Sequence, residues 1–230
     1  MKKRILVIDI GGSRVKLMIS QRLKRRKFDS GPNLTPPKLV AETKKLVRDW
    51  KFDAVAIGFP APVSKGKIAA EPKNLGTGWV RFDFRKRFGK PVRIMNDAAM
   101  QALGSYQRGR MLFLGFGTGL GSALLWNRNV LSLELGDLPY IDNQSIEDWL
   151  SDSGLERFGE KRWQTEVRRV VPELKKAFIA DYVVLGGGNA KLVDKLPTGV
   201  ALGHNRNAYT GGCRLWERDS RTGGWTWNII

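Results

Sequence analysis

Apolar residues in this chain come in short blocks separated by glycine, proline and basic clusters, and the spacing inside each block predicts its element. Residues 4–10 (RILVIDI) form a nearly continuous apolar run closed by Gly11-Gly12, the pattern of a strand buried on both faces. Residues 15–20 predict a second strand, turned back on the first through those glycines. The basic segment Arg22-Leu-Lys-Arg-Arg-Lys27 predicts an exposed third strand or loop. Pro36-Pro37 opens a helix reaching about Trp50, with Leu39, Val40, Thr43, Leu46 and Val47 at helical spacing. Ala54–Phe59 predicts another buried strand, and residues 92–95 a strand that ends at Asn96-Asp97 before a helix over 98–106.

The pattern then restarts. Met111–Phe116 and residues 121–126 predict two strands joined by a glycine-rich turn, followed by helices over Ile146–Leu150 and 161–178. Residues 182–185 predict a strand that runs into three glycines and a helix; a last helix is predicted over 207–218, with a loosely held tail. Two rounds of hairpin, helix, strand and helix imply an α/β protein of two lobes, 1–105 and 106–230.

A hydrophobic share of 42% with 10% aromatics is ample for a buried core and argues against global disorder. The single cysteine, Cys213, excludes an intramolecular disulfide and a cysteine-based zinc cluster, and reads as a packing residue. The apolar run after the basic start is too short for a signal peptide and carries Asp9; no stretch nears the ~18 apolar residues of a membrane span. A cytoplasmic location is the expectation. Charge changes the picture most: 40 basic residues against 22 acidic ones give +18. Such a field attracts polyanions, whether nucleic acid, an anionic membrane or inorganic polyphosphate; a merely solvated basic surface is the other reading.

Four motifs could carry chemistry, and each has a bland alternative. In Asp9-Ile-Gly-Gly-Ser-Arg-Val-Lys16, Gly11, Gly12 and Ser13 form a tight turn after a strand, where backbone N–H groups can approach a phosphate. Asp9 could hold Mg²⁺ through water and Lys16 offset phosphate charge; an ordinary hairpin turn would look the same. Gly115-Phe-Gly-Thr-Gly-Leu-Gly-Ser122 repeats the device. So many glycines between apolar strands point to a second phosphate clamp around Gly117, Thr118 and Gly119, because glycine weakens strands. Asp97 follows a buried strand, where α/β folds place ligands and where a carboxylate can act as general base in phosphoryl transfer. The same position suits a helix N-cap. Val183-Val-Leu-Gly-Gly-Gly-Asn189 offers bare backbone at Gly187 and Gly188 to a nucleotide, or is a tight turn.

Taken in order, these residues resemble the ROK family of sugar kinases, especially its zinc-free branch of polyphosphate- and ATP-dependent glucokinases. The resemblance runs from Asp9 to about Trp216 and implies an actin-like ATPase (ribonuclease H-like) fold with an inter-lobe cleft. Asp9-Ile-Gly-Gly-Ser-x-x-Lys16 and Gly117-Thr-Gly-Leu-Gly-Ser-Ala123 are similar to the two phosphate motifs. Gly58-Phe-Pro-Ala-Pro-Val63 and Asn74-Leu-Gly-Thr-Gly-Trp79 are similar to sugar-side loops. Asn96-Asp97-Ala98 resembles the motif whose aspartate deprotonates the sugar 6-hydroxyl while the asparagine orients the ring. Glu134-Leu-Gly-Asp137 stands where the family has Glu-x-Gly-His, and Glu147 matches a further sugar-binding glutamate. Residues 186–188 match the adenosine-side glycines, and residues 203–216, with the sole histidine His204, resemble the closing segment of short members.

The resemblance implies a hexose as substrate, glucose foremost, held by Asn74, Asn96, Glu134, Asp137 and Glu147. It also implies ATP and/or polyphosphate as donor, Mg²⁺ as cofactor, no zinc, no specific nucleic acid and no membrane partner; a homodimer is one arrangement open to it. Asp137 in place of histidine loses the imidazole donor and adds a carboxylate beside Glu134 and Glu147, which leaves mannose or an amino sugar such as glucosamine as alternatives. A catalytically silent sugar- or polyanion-binding protein is another. A sugar-responsive repressor needs a helix-turn-helix domain ahead of the kinase-like part; the first phosphate motif starts at residue 9, so that reading is not expected.

Overall fold

The computed structural model describes residues 3–20, 25–204 and 206–230. Its first sheet has the order β3-β2-β1-β4-β7, built from β1 (Ile5–Ile10), β2 (Arg14–Ile19), β3 (Arg25–Asp29), β4 (Ala54–Phe59) and β7 (Val92–Asn96). Between these lie α1 (Pro36–Leu46), the small hairpin of β5 (Val63–Ser64) and β6 (Lys67–Ile68), and α2 (Phe84–Phe88). Helix α3 (Asp97–Ser105) leads to a second sheet of β8 (Met111–Phe116), β9 (Leu120–Trp126), β10 (Asn129–Leu133), β11 (Tyr182–Gly186), β12 (Val200–Leu202) and β13 (Asn228–Ile229). Its helices are α4 (Ile146–Leu150), α5 (Asp152–Ala177) and α6 (Asn207–Arg214).

The second sheet repeats the first. In the order β12-β11-β8-β9-β10-β13, the strands β8 to β12 stand where β1, β2, β3, β4 and β7 stand, with the same parallel and antiparallel pairings. This is the α/β, actin-like ATPase arrangement.

The period of two along each central strand builds the layers. Leu6, Ile8 and Ile10 of β1 point outward into a core with Leu39 and Val40 of α1. Ile5 and Val7 point inward, into a core that also holds Ala98, Met100 and Leu103 of α3 and Ala208 and Tyr209 of α6. From the other side, Met111 and Phe113 of β8 enter that same core, while Leu112, Leu114 and Phe116 face Trp149 and Val167 on α4 and α5. The α3–α6 layer is therefore shared between the sheets, and each sheet is covered on both faces.

Several expectations are corrected. Helix α1 stops at Leu46, and Trp50 lies beyond it under the Arg26 guanidinium, 4.7 Å away. The run 186–188 opens only a 3₁₀ turn, Ala190–Leu192, and α6 ends at Arg214, whose guanidinium donates to the Leu103 and Tyr106 carbonyls at the end of α3. The tail is tied down: β13 pairs with β10, and the Trp227 ring meets Tyr106 edge-on at 5.5 Å. The basic segment yields β3 from Arg25 onward; Arg22, Leu23 and Lys24 lie outside the described residues. Strands β10, β12 and β13, the β5–β6 hairpin and α2 had no strong enough pattern to be foreseen. Among the described residues no helix is long and apolar enough to cross a membrane.

Candidate active site

The glycine turns and Asp97 all sit at the carboxyl ends of strands, the edge where α/β sheets bind ligands. In the turn after β1, the Gly11 amide donates to the Arg14 carbonyl at 3.0 Å, and Ser30 braces it through its hydroxyl to the Gly11 carbonyl at 2.7 Å. In the turn after β8, the Gly117 amide donates to the Gly119 carbonyl at 3.1 Å. The two turns meet: a Cβ on Gly12 would lie 3.6 Å from the Thr118 hydroxyl. Ser13 and Thr118 are exposed, and Lys16 puts its Nζ 3.5 Å from a carboxylate oxygen of Asp9.

The turn after β11 packs against the second cradle. Gly187 has φ 81°, and a Cβ there would come within 2.0 Å of the Phe116 carbonyl oxygen, so glycine is required. Asn189 donates its amide to that same carbonyl at 3.1 Å and its side chain to Asp152 at 2.7 Å. The Asp152 amide in turn donates to the Gly117 carbonyl at 2.7 Å, while Gly188 stays exposed. Asp152 and Asn189 thus join the second and third turns into one unit. Neither was picked out from sequence; an Asp and an Asn beside glycine turns are the only local hint.

Asn96, not Asp97, caps α3. Its side-chain oxygen accepts from the Ala99 amide at 3.0 Å, which leaves its NH₂ group for a ligand. Asp97 becomes the first helical residue, with one oxygen accepting from the Ala98 amide at 2.8 Å. Burial pushes its carboxyl up to about 7; the charges of Asp9 and Glu134 push the same way, against the amide donors. Asp9 is itself almost fully buried, and that burial raises its pKa against the pull of Lys16. A carboxyl poised near neutrality at the carboxyl end of a strand has the acid–base profile of a general base.

The expected sugar-side residues come from both halves. Asn74 is exposed on a loop that Glu71 holds, its carboxylate accepting from the Trp79 and Val80 amides at about 3.0 Å. Trp79 is buried against Phe59, with ring centroids 5.0 Å apart. Glu134 precedes a 3₁₀ turn, Leu135–Asp137, that Asp137 ends. Desolvation first, then Asp137 and Glu147, raise the pKa of Glu134, with Lys73 opposing. Glu134 thus feels the charges of Asp137 and Glu147 and itself raises the pKa of Asp97. One oxygen of Glu147 accepts from the Leu120 amide at 2.8 Å, which buttresses the second cradle.

Lys73 and Tyr209 were not foreseen. The Tyr209 hydroxyl is pushed up to about 12 by burial and then by the Asp9 charge, which puts α6 beside the first cradle. His204 is exposed; its Nδ1 accepts from the Arg206 amide, a structural contact. Asn205 lies outside the described residues. Cys213 is half-buried against the shared α3–α6 core.

Among the described residues no three His, Cys, Asp or Glu side chains gather as a protein-only metal cage. Mg²⁺ in phosphoryl transfer needs only one or two carboxylates plus phosphate oxygens and water. A buried Asp9 whose charge is only partly offset by Lys16, next to the cradle at Gly12, fits that role.

A polyphosphate glucokinase of Mycobacterium leprae is 27% identical over 210 residues, covering 82% of this chain and 64% of the relative. The chain thus spans somewhat under two thirds of that relative's length. Among solved structures, the inorganic polyphosphate/ATP-glucomannokinase of an Arthrobacter strain aligns with a TM-score of 0.79 at 23% identity, covering 92% of this chain and 97% of that one. A ROK family glucokinase of Streptomyces griseus, solved with glucose and AMPPNP, gives a TM-score of 0.72 at 15% identity, covering 92% and 98%. At such identities the neighbours establish the shared fold. The sequence profile of the ROK family itself matches residues 5–136, more than half of the chain and from β1 through the Asp97 helix to the turn after Glu134, and so the chain belongs to the ROK family.

Proposed function

We propose that this chain is a sugar kinase that transfers the terminal phosphoryl group of ATP or inorganic polyphosphate to the 6-hydroxyl of a hexose, with glucose as the first choice. The observation that carries the reading is Asp97: a carboxyl raised to about 7 at the start of α3, in a chain whose two glycine cradles meet at Gly12 and Thr118. In this reading residues 1–105 and 106–230 are the two lobes and the sugar lies between them. Asn74, Asn96, Glu134, Asp137 and Glu147 hold its hydroxyls, and Asp97 takes the proton of the attacking oxygen. Backbone amides around Gly11, Gly12 and Ser13, and around Gly117, Thr118 and Gly119, stabilise charge on the transferred group. Lys16 adds a positive charge on the donor side, and Gly187 and Gly188 leave room for adenosine. Asp9 would hold Mg²⁺ through water, and the ion would supply positive charge against that of the donor phosphates. A cytoplasmic site accords with these substrates.

The test is steady-state phosphorylation of glucose with ATP and with inorganic polyphosphate, each over a salt series. The reading expects turnover with at least one donor, with polyphosphate the more salt-sensitive because its attraction to a +18 chain is screened. No phosphorylation of any hexose by either donor would end it. A second sugar is favoured by one observation, the repulsion of Glu134 by the charges of Asp137 and Glu147, which adds to desolvation in raising its pKa. An ammonium group would relieve that repulsion, so glucosamine belongs in the same assay beside glucose and mannose.

The pH profile follows from the direction of the Asp97 shift. A base must be ionised, so kcat/KM should rise about tenfold per pH unit below 7 and level off above it. Glu134→Gln removes one of the charges that raise the Asp97 pKa, so the rising limb should move to lower pH. A limb that stays put in Glu134→Gln would count against the coupling.

A further inference from the structure

The cradles account for a donor but not for a charge of +18, and the surface offers a second place for a polyanion. A hollow of about 880 Å³ opens between the β5–β6 hairpin, α2, the N-terminal part of β7 and the tail. Lys65, Lys67, Arg85 and Arg93 line it together with Phe82, Trp225 and Trp227. A neighbouring hollow of about 700 Å³ shares Phe82 and Asp83 with the first and continues past Lys44, Arg81, Lys86 and Arg87. The single acid on either lining, Asp83, is spent on the N-cap of α2, where it accepts from the Lys86 amide at 2.9 Å. Eight basic residues therefore stand against one acid along the two linings, with Glu217 behind them, accepting from the Trp227 indole at 3.0 Å.

Aromatic rings interleave with those charges. The guanidinium groups of Arg93 and Arg218 lie 4.0 and 4.4 Å from the Trp225 ring centroid, and Arg87 lies 5.8 Å from that of Phe82. Trp225 is 42% exposed. Burial and the Arg218 charge both press on Arg93, lowering its pKa; an anion there would relieve the pair. The path is separate from the candidate site, since neither Asp97 nor the glycine turns line either hollow.

We infer that this groove binds single-stranded nucleic acid without sequence preference, phosphates along the Lys and Arg residues and bases stacked on the exposed Trp225–arginine cluster and Phe82. The joined hollows suit a linear polyanion, and the rings favour one that carries bases. A second copy of the chain would bring like charge to like charge. The inference stands on its own and does not depend on the kinase reading.

The experiment titrates the full chain with a short fluorescein-labelled oligothymidylate over a salt series, following anisotropy and tryptophan emission. Binding should quench tryptophan and weaken steeply with salt. Trp225→Leu should weaken it about tenfold or more, and Lys67→Gln with Arg85→Gln should lower the salt slope by roughly 1.4. Asp97→Asn should bind as the parent does. Unlabelled inorganic polyphosphate should compete through charge yet be indifferent to Trp225→Leu. Circular dichroism checks folding; if Trp225→Leu fails it, the double glutamine variant on the exposed surface decides. Unchanged affinity in the folded variants, no binding at all, or equal losses for oligonucleotide and polyphosphate in Trp225→Leu would each overturn the inference. So would self-association of the parent that Trp225→Leu abolishes, which would make this face an interface between copies.

Discussion

Asp97→Asn should lower kcat for hexose phosphorylation by about 10²–10⁴-fold, the usual contribution of a positioned general base. The KM for the sugar should stay nearly constant. Asparagine keeps the volume and can still accept from the Ala98 amide, so α3 begins as before. What it loses is the ability to take a proton. The same exchange removes a charge that burial, Asp9 and Glu134 all disfavour. A carboxyl whose pKa is raised on folding costs stability that builds up as the pH climbs from the ordinary carboxylate range towards 7 and is fully present above it. At pH 8 the variant should therefore melt no lower than the parent, and higher if the repulsion is strong. Coupled assays with each donor, sugar-binding calorimetry and thermal melts at pH 6 and 8 measure this. A kcat within tenfold of the parent would remove Asp97 as the base, and a lower melting temperature would show that its role is structural.

Gly211→Ala should destabilise the whole molecule by about 3 kcal/mol or more, the upper end of overpacking costs. In a chain of this size that amounts to a drop in Tm of about 6–12 °C. Helices α3 and α6 cross at backbone contact: a Cβ on Gly211 would lie 1.8 Å from the Met100 carbonyl oxygen, and one on Gly104 equally close to that of Asn207. Neither partner is a flexible side chain that could swing away, so the helices must separate. Their layer is the core shared by both sheets, and α3 begins at Asp97. The variant should therefore lose activity as well as stability. Thr210→Ala, one residue away on the exposed face of α6, should change stability by only about 0.5 kcal/mol. If Gly211→Ala melts with Thr210→Ala, the helices do not cross as closely as described.

The strongly patterned elements were legible in the sequence because their physics is local. RILVIDI is apolar on both faces since β1 lies between two cores, and its glycines mark where the chain turns. The repeat of hairpin and helix gave away two matching sheets. The weak edges were not legible: β10, β12 and β13 carry mixed patterns, and β13 exists because β10 offers an unpaired edge to a segment far away in sequence. Asp97 could be read as a helix cap until the backbone at the end of β7 assigned the cap to Asn96.

By itself, then, the sequence determined the order of strands and helices, the glycine turns that end three strands, the family motifs and the charge. These depend on near neighbours, on periodicity and on composition, all of which are written along the chain. Only the tertiary structure decided that Gly12 meets Thr118, that the carboxyl of residue 97 sits near neutrality, and that lysines and tryptophans from the β5–β6 hairpin and the far C-terminus share one groove. Desolvation and charge coupling arise between residues that the chain keeps apart and packing brings together, and no local pattern encodes them.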